Sequence, residues 1–234
     1  MKRTLWILGL AICMMAVFTV TGCDKAESPV SPPNDEVVVD QPGEDGILTA
    51  EQINAIGREQ HKEFLANGGK LPEGDGEKGM CISLHVPFYS QRDGNWGGVN
   101  LGHSHLKIRD YGCHLTCISM LYAKWGHGDM NPKVLNTWAK SHSGFSGPNI
   151  IPRKAVDRYE NRNTRNISPN QIYGELVAGR PVIVRTTYGG SHFMIIYGFD
   201  GYRFWVKDPL KDWRHQSVPL YGHAHNDRPF RVYY

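Results

Sequence analysis

The sequence predicts an α+β fold in which N-terminal helices pack on an antiparallel sheet. Apolar residues between positions 113 and 125 recur at the spacing of a buried helix, whereas the segments after residue 181 are short, apolar and separated by turn residues. Helices followed by strands are typical of the α+β class. The chain has 234 residues, of which 40% are apolar, so one main domain with its own core is expected.

Four segments carry helix signals. Thr49 and Gln52 have the spacing of a capping box, which predicts that the first helix begins there and ends near residue 66. Ser168 as N-cap and Pro169 in the first turn predict the start of the last helix, which closes at Gly179. The four predicted helices cover about residues 49–66, 113–125, 132–140 and 168–179.

The strand signals lie mostly in the C-terminal half of the chain. Asp200 and Gly201 predict a tight hairpin turn between two apolar strands, and Pro87 should end an earlier strand. The predicted strands cover about residues 82–89, 181–187, 192–199, 202–207 and 228–234.

The N-terminus has the features of an export signal. Lys2 and Arg3 precede an apolar run over residues 5–20, which is shorter than a spanning helix usually needs. Residues 20–23, Val-Thr-Gly-Cys, resemble the lipobox of bacterial lipoproteins, which implies that Cys23 carries a lipid and anchors the mature chain to the cell membrane. A plain signal peptide with a chance cysteine and an uncleaved membrane anchor are the alternatives.

These signals divide the chain into four parts. Residues 1–23 form the signal peptide, and residues 24–46 are rich in Pro, Asp, Glu and Ser, which predicts a disordered tether. Residues 47–80 form a helical N-terminal arm, which either packs on the domain or acts as a propeptide. Residues 81–234 form the main domain.

Composition argues against several classes of protein. The net charge is only +3 and Lys and Arg are scattered, so nucleic-acid binding is not expected. Five cysteines are too few for a disulfide scaffold. The pairs His103 and His105, and His223 and His225, lie in polar loops without a nearby cysteine or carboxylate motif, so we expect neither a metal site nor a cofactor. We expect a monomer.

Three residues have the pattern of a thiol-based catalytic site. Cys113 follows Gly112 at the predicted start of a helix, where the helix dipole stabilises a thiolate. His192 begins a buried strand, and Asp208 ends the next one. Counted from the hairpin turn, both are about eight residues away, so the imidazole and the carboxylate should be neighbours. A buried structural thiol, a strand-end histidine and a turn-capping carboxylate are the alternative interpretations. Cys117 lies one helical turn on and is expected to be a packed core residue.

Five short motifs occur in a fixed order along the chain. They are Val86-Pro87-Phe88-Tyr89-Ser90-Gln91, Gly112-Cys113-x-x-Thr116, the Gly179-Arg180-Pro181 segment with its strand, His192-Phe193 with Gly198-Phe199-Asp200, and Asp208-Pro209. Together they resemble the papain-like cysteine peptidases related to the bacteriocin-processing peptidases, family thirty-nine. The resemblance covers about residues 84–234. It implies a papain-like fold, with Cys113 as nucleophile, His192 as base, Asp208 as orienting residue and Gln91 in the oxyanion hole.

The resemblance also has departures that narrow the expected function. Relatives often have Gly-Pro after the nucleophile, where this chain has His114 and Leu115, and the exporters' ATP-binding and membrane domains are missing. We therefore expect a surface-tethered hydrolase of peptides or of cell-wall peptide bonds, not a leader peptidase. A catalytically idle module that binds peptide or wall polymer, and an acyltransferase on the same triad, remain alternatives. Trp96 and Trp213, near the catalytic segments, are candidate substrate-binding residues.

Overall fold

A computed structural model describes residues 47–72, 79–156, 163–187, 191–225 and 230–234. The signal peptide, Cys23 and the tether predicted before residue 47 lie outside these residues. The helices are α1 (Ala50–Ala66), α2 (Ile108–Tyr111), α3 (Cys113–Lys124), α4 (Pro132–Ser141), α5 (Pro152–Ala155) and α6 (Ile172–Val177), the last preceded by a short 3₁₀ turn (Pro169–Gln171). The strands are β1 (Ile47–Thr49), β2 (Ile82–Ser83), β3 (Phe145–Ser146), β4 (Asn149–Ile150), β5 (Thr164–Ile167), β6 (Val182–Thr186), β7 (His192–Phe199), β8 (Phe204–Lys207), β9 (Val218–Pro219), β10 (His223–His225) and β11 (Phe230–Tyr233).

A curled antiparallel sheet forms one half of the fold. Its main path runs β1-β10-β6-β7-β8-β9, with β11 pairing β5 and β6, and β2 pairing β7. Every strand pair in it is antiparallel. With the helices that pack on it, this sheet confirms the predicted α+β fold, of the papain-like kind.

Helix α3 packs against the central strand β7 and is almost entirely buried. Cys117, Ile118 and Met120 have no exposed surface, so this helix lies inside the core. Burial of such side chains gives about 1.5–3 kcal/mol each, which fixes the position of the helix relative to the sheet. The start of α3, and with it Cys113, is therefore held firmly beside β7.

The N-terminal arm packs on the same domain. Strand β1 pairs with β10, and Thr49 and Gln52 form the predicted capping box at the start of α1. The buried Asn54 side chain accepts a hydrogen bond of 2.9 Å from the backbone N–H of Phe204 in β8. Gly57 lies against the Phe204 ring, where a Cβ atom would come within 2.6 Å of it. Helix α1 is thus joined to the sheet by specific polar and close-packed contacts.

The predicted elements differ from the observed ones mainly at their ends. The strand predicted over residues 82–89 covers only Ile82–Ser83, because the chain leaves β7 after Leu84 and cannot pair again through Pro87. The last predicted helix begins as a 3₁₀ turn with its Ser168–Gln171 capping box in place. Among the described residues, no helix is long and apolar enough to cross a membrane.

Candidate active site

Cys113 is the first residue of α3 and lines a cavity of about 630 Å³. Cys113 is buried, with 9% of its surface exposed, and it forms part of the cavity wall. Gly112 precedes it, and a Cβ atom there would come within 2.6 Å of the Ile108 carbonyl oxygen. A side chain at position 112 would therefore push α2 away from the start of α3.

His192 joins Cys113 to Asp208. The His192 Nε2 atom lies 2.7 Å from Asp208 Oδ1, and the Cys113 side chain is near enough to the imidazole to raise its pKa. His192 is 4% exposed and Asp208 has no exposed surface. The predicted proximity of the imidazole and the carboxylate is confirmed.

The pKa values of His192 and Asp208 shift in opposite directions. Burial by itself lowers the pKa of His192, but the hydrogen bond with Asp208 and the nearby Cys113 side chain, with the charges of both, outweigh burial and raise it to about 9. Burial raises the pKa of Asp208, but the hydrogen bonds from His192 and Tyr221 hold it below 3.8. Because both shifts favour the charged forms, an imidazolium–carboxylate pair is stable here at neutral pH.

Asp208 is held by two further groups that sequence reasoning missed. The Tyr221 hydroxyl donates a short hydrogen bond to Asp208 Oδ2, and the Leu210 backbone N–H donates to Oδ1 at 2.9 Å. Tyr221 lies 13 residues further along the chain, beyond β9, and no motif or spacing marks it. These bonds and the one to His192 occupy both carboxylate oxygens, which fixes the orientation of the carboxylate.

Gln91 lines the same cavity and is 1% exposed. Its backbone N–H donates to the Pro209 carbonyl at 2.8 Å, which ties it to the residue after Asp208. Its side-chain Nε2 donates to the Arg109 carbonyl at 2.8 Å, whereas Oε1 is buried with no hydrogen-bond partner in the described part of the chain. An amide in this position has a second N–H to offer a ligand beside Cys113.

The sequence matches the profile of the Peptidase_C39 like family over residues 83–227, more than half of the chain. The chain belongs to the Peptidase_C39 like family. A solved structure from Bacillus anthracis, described as a candidate C39-like peptidase, is 16% identical to this chain, with a TM-score of 0.45. The similarity covers 65% of this chain and 97% of that one. No protein with a curated description matches this chain.

Membership in the Peptidase_C39 like family suggests a cysteine peptidase. The matched region includes Gln91, Cys113, His192 and Asp208, the four residues that the motifs singled out. The structure brings all four together: three line the cavity, and Asp208 lies behind His192. Cys117 is fully buried, and burial, together with the nearby Cys113 and Asp208, raises the pKa of its thiol. Its environment suits a packed core residue of a C39-like domain.

The two candidate substrate-binding tryptophans are placed elsewhere in this C39-like domain. Trp96 is buried, with its Nε1 donating to the Ser90 carbonyl at 2.7 Å, and its ring packs edge-on against Tyr89. Trp213 is 71% exposed. Neither is among the described residues that line the cavity, because one indole fills the core and the other projects from the surface. His103 contacts the Lys140 carbonyl, and the described ranges contain no cluster of three or more metal-ligating side chains.

Proposed function

We propose that this protein is a surface-tethered cysteine peptidase or amidase that acts on peptides or on the peptide part of the cell wall. One observation carries the proposal: His192, hydrogen-bonded to Asp208, lines the same cavity as Cys113. Membership in the Peptidase_C39 like family supports the cysteine-peptidase part of this proposal.

In the proposed reaction, the Cys113 thiolate is the nucleophile and the His192 imidazolium is the general acid. The sulfur attacks the carbonyl carbon, the C–N bond breaks, and the leaving amine takes a proton from His192. Water, deprotonated by the now neutral His192, then attacks the thioester, which releases the carboxylic acid and restores the Cys113 thiolate and the His192 imidazolium. Asp208 keeps the imidazole in one orientation and stabilises its charged form.

The oxyanion formed in each step needs hydrogen-bond donors. The Cys113 backbone N–H is in the first turn of α3, where N–H groups have no acceptor within the helix. The Gln91 side-chain amide lies in the same cavity and has one N–H beyond its bond to Arg109. These two donors would stabilise the oxyanion, an effect that is worth about 3–4 kcal/mol per donor in comparable enzymes.

Peptide turnover and the acyl-enzyme test this function. The full chain, Cys113→Ala and the matched control Cys117→Ala are incubated with mixed peptides and with cell-wall peptide fragments, and new termini are identified by mass spectrometry. We expect cleavage and a thioester on Cys113 in the wild type, loss of both in Cys113→Ala, and retention of both in Cys117→Ala. Ligation of an added amine in place of hydrolysis would identify an acyltransferase. Peptide binding without turnover in every variant would support the idle module and contradict the proposal.

The lipid anchor at Cys23 is proposed from the sequence of residues 20–23 alone, because these residues lie outside the described structure. In cells fed an alkyne-tagged fatty acid, we expect the label on Cys23 and the protein in the membrane fraction. Cys23→Ser should lose both the label and the membrane association. A membrane-bound Cys23→Ser protein would contradict lipid anchoring at this residue.

A further inference from the structure

One wall of the cavity carries two arginines that the proposed reaction does not use. Arg185 is on β6 and Arg231 is on β11, and both line the cavity beside Cys113. In the sheet, Arg231 pairs with Ile183, which is two residues from Arg185 on the same strand. Since alternate residues of a strand share a face, the two guanidinium groups belong to one side of the sheet.

Both arginines have neutral partners. Arg185 Nε donates to the Ser191 hydroxyl at 2.7 Å, and Arg231 Nη2 donates to Asn166 Oδ1 at 2.9 Å. Within the described ranges, no carboxylate forms an ion pair with either one. Because a guanidinium has five N–H donors, each arginine retains donors for a ligand.

Two other arginines of the domain show the contrast. Arg165 and Arg180 both pair with Glu175, whose side chain is buried between them. Each of these two arginines is thus paired with a carboxylate. Arg185 and Arg231 have no carboxylate partner among the described residues, although an uncompensated charge in a partly enclosed site is unfavourable.

The histidine after the nucleophile lies within the field of both arginines. The His114 ring stacks on Phe193, with ring centroids 4.1 Å apart, and Phe193 pairs with Arg185 across the sheet. Burial, followed by the charges of Arg231 and Arg185, lowers the pKa of His114 to about 3, so the ring is neutral at neutral pH. Among described lining residues the one carboxylate is Asp110, on α2, which pairs with neither arginine. The sheet wall next to Cys113 is therefore cationic.

We infer that Arg185 and Arg231 form a subsite for a carboxylate of the substrate. This inference rests on the proposed peptidase function and narrows its substrate class to peptides with a free carboxylate close to the scissile bond. An acidic side chain and a terminal carboxylate offer the same chemistry to the two guanidinium groups. The planar N–H groups of arginine suit bidentate binding of a carboxylate, and the stacked His114 and Phe193 rings line the same cavity.

The first test measures the charge of the subsite without a substrate. Alkylation rates of Cys113 by anionic iodoacetate and neutral iodoacetamide are compared at pH 7 in the full-length wild type, Arg185→Gln, Arg231→Gln and the control Arg214→Gln. Arg214 is exposed and outside the cavity lining. We expect the iodoacetate-to-iodoacetamide ratio to fall about threefold or more in each cavity variant and to stay unchanged in Arg214→Gln. An unchanged ratio in both cavity variants would overturn the inference.

The second test measures selectivity. Matched peptides with Glu or Gln at each position near the cleavage site, and with a C-terminal acid or amide, are compared by kcat/KM. We expect the wild type to prefer one carboxylate form by about tenfold to a hundredfold, and each Arg→Gln variant to lose that preference while it still cleaves the neutral peptide. The Glu arm and the terminal-acid arm identify the source of the carboxylate. Arg185→Lys and Arg231→Lys serve as charge-keeping variants in case a glutamine variant fails to fold.

The two tests separate this inference from the proposed function. Cleavage of acidic and neutral peptides at equal rates would overturn the carboxylate subsite and leave the peptidase intact. If the iodoacetate-to-iodoacetamide ratio depends on the arginines but the protein cleaves no peptide, the proposed peptidase function is contradicted. The cavity would then be an anion-binding site.

Discussion

A β-bulge places Asp208 on the same face of the sheet as His192. In the β7–β8 pair, Phe199 lies opposite Phe204, and Ile195 lies opposite Lys207. The register changes by one position between these two pairs, because β7 has one extra residue between Ile196 and Gly198. Continued by one position, this register puts Asp208 opposite Met194, which shares the face of His192. Without the extra residue, Asp208 would lie opposite Ile195 and face the other side.

Asp208→Asn should reduce kcat by about a hundredfold to ten-thousandfold, because an amide cannot stabilise the imidazolium form of His192. The matched control is Asp212→Asn, which removes an exposed carboxylate that lies 3.0 Å from His215 Nδ1. We expect the control to keep wild-type activity in steady-state assays of peptide cleavage. Equal activity of Asp208→Asn and wild type would show that Asp208 is structural.

Tyr221→Phe should leave Cys113, His192 and Asp208 in place but hold the Asp208 carboxylate less firmly. Loss of the hydroxyl removes one hydrogen bond to Oδ2 that lowers the pKa of this carboxyl. We expect kcat to fall about threefold to tenfold, which corresponds to about 1 kcal/mol, with the acid limb of the pH–rate profile moved to higher pH. Tyr202→Phe, at an exposed ring far from the cavity lining, is the control. A lower activity with an unmoved acid limb would argue against this role for Tyr221.

The buried His192–Asp208 pair predicts a loss of stability at alkaline pH. The pKa of His192 is raised from 6.5 to about 9, so its contribution to the free energy of unfolding is fully present below pH 6.5 and is lost as the pH rises through about 9. Urea unfolding should show a decrease of roughly 3 kcal/mol between these limits. His192→Gln has no such group, so its stability should change less over the same range. Parallel curves for the two proteins would contradict the assigned shift.

Asn54→Ala should destabilise the fold by about 1–3 kcal/mol. It leaves the buried backbone N–H of Phe204 without an acceptor. Glu59→Ala, an exposed change on the same helix, should alter the free energy of unfolding by less than about 0.5 kcal/mol. Both are measured by urea unfolding of the full chain. If the two variants are equally stable, α1 is not energetically part of the domain.

The sequence predicted the parts of the site that have local signals. Gly112 and Cys113 begin a helix whose apolar spacing is readable, and the Asp200–Gly201 turn makes His192 and Asp208 neighbours. The bulge has no comparable signal, because a strand with one extra apolar residue reads as a slightly longer strand. Tyr221 and Arg231 come from the last part of the chain and reach the site only through the sheet order, which residue spacing does not define. The roles of Gln91, Cys113, His192 and Asp208 remain proposals.

Site-resolved alkylation detects the proposed thiolate–imidazolium pair between Cys113 and His192 without a substrate. The full chain and its His192→Ala variant are treated with iodoacetamide from pH 5 to 9, and the rate at Cys113 is read by mass spectrometry, with buried Cys117 as the internal control. We predict rapid reaction of Cys113 at the acidic end that disappears in His192→Ala, and slow reaction of Cys117 throughout. A rate at Cys113 that follows an ordinary thiol titration and does not depend on His192 would show that the two residues form no such pair.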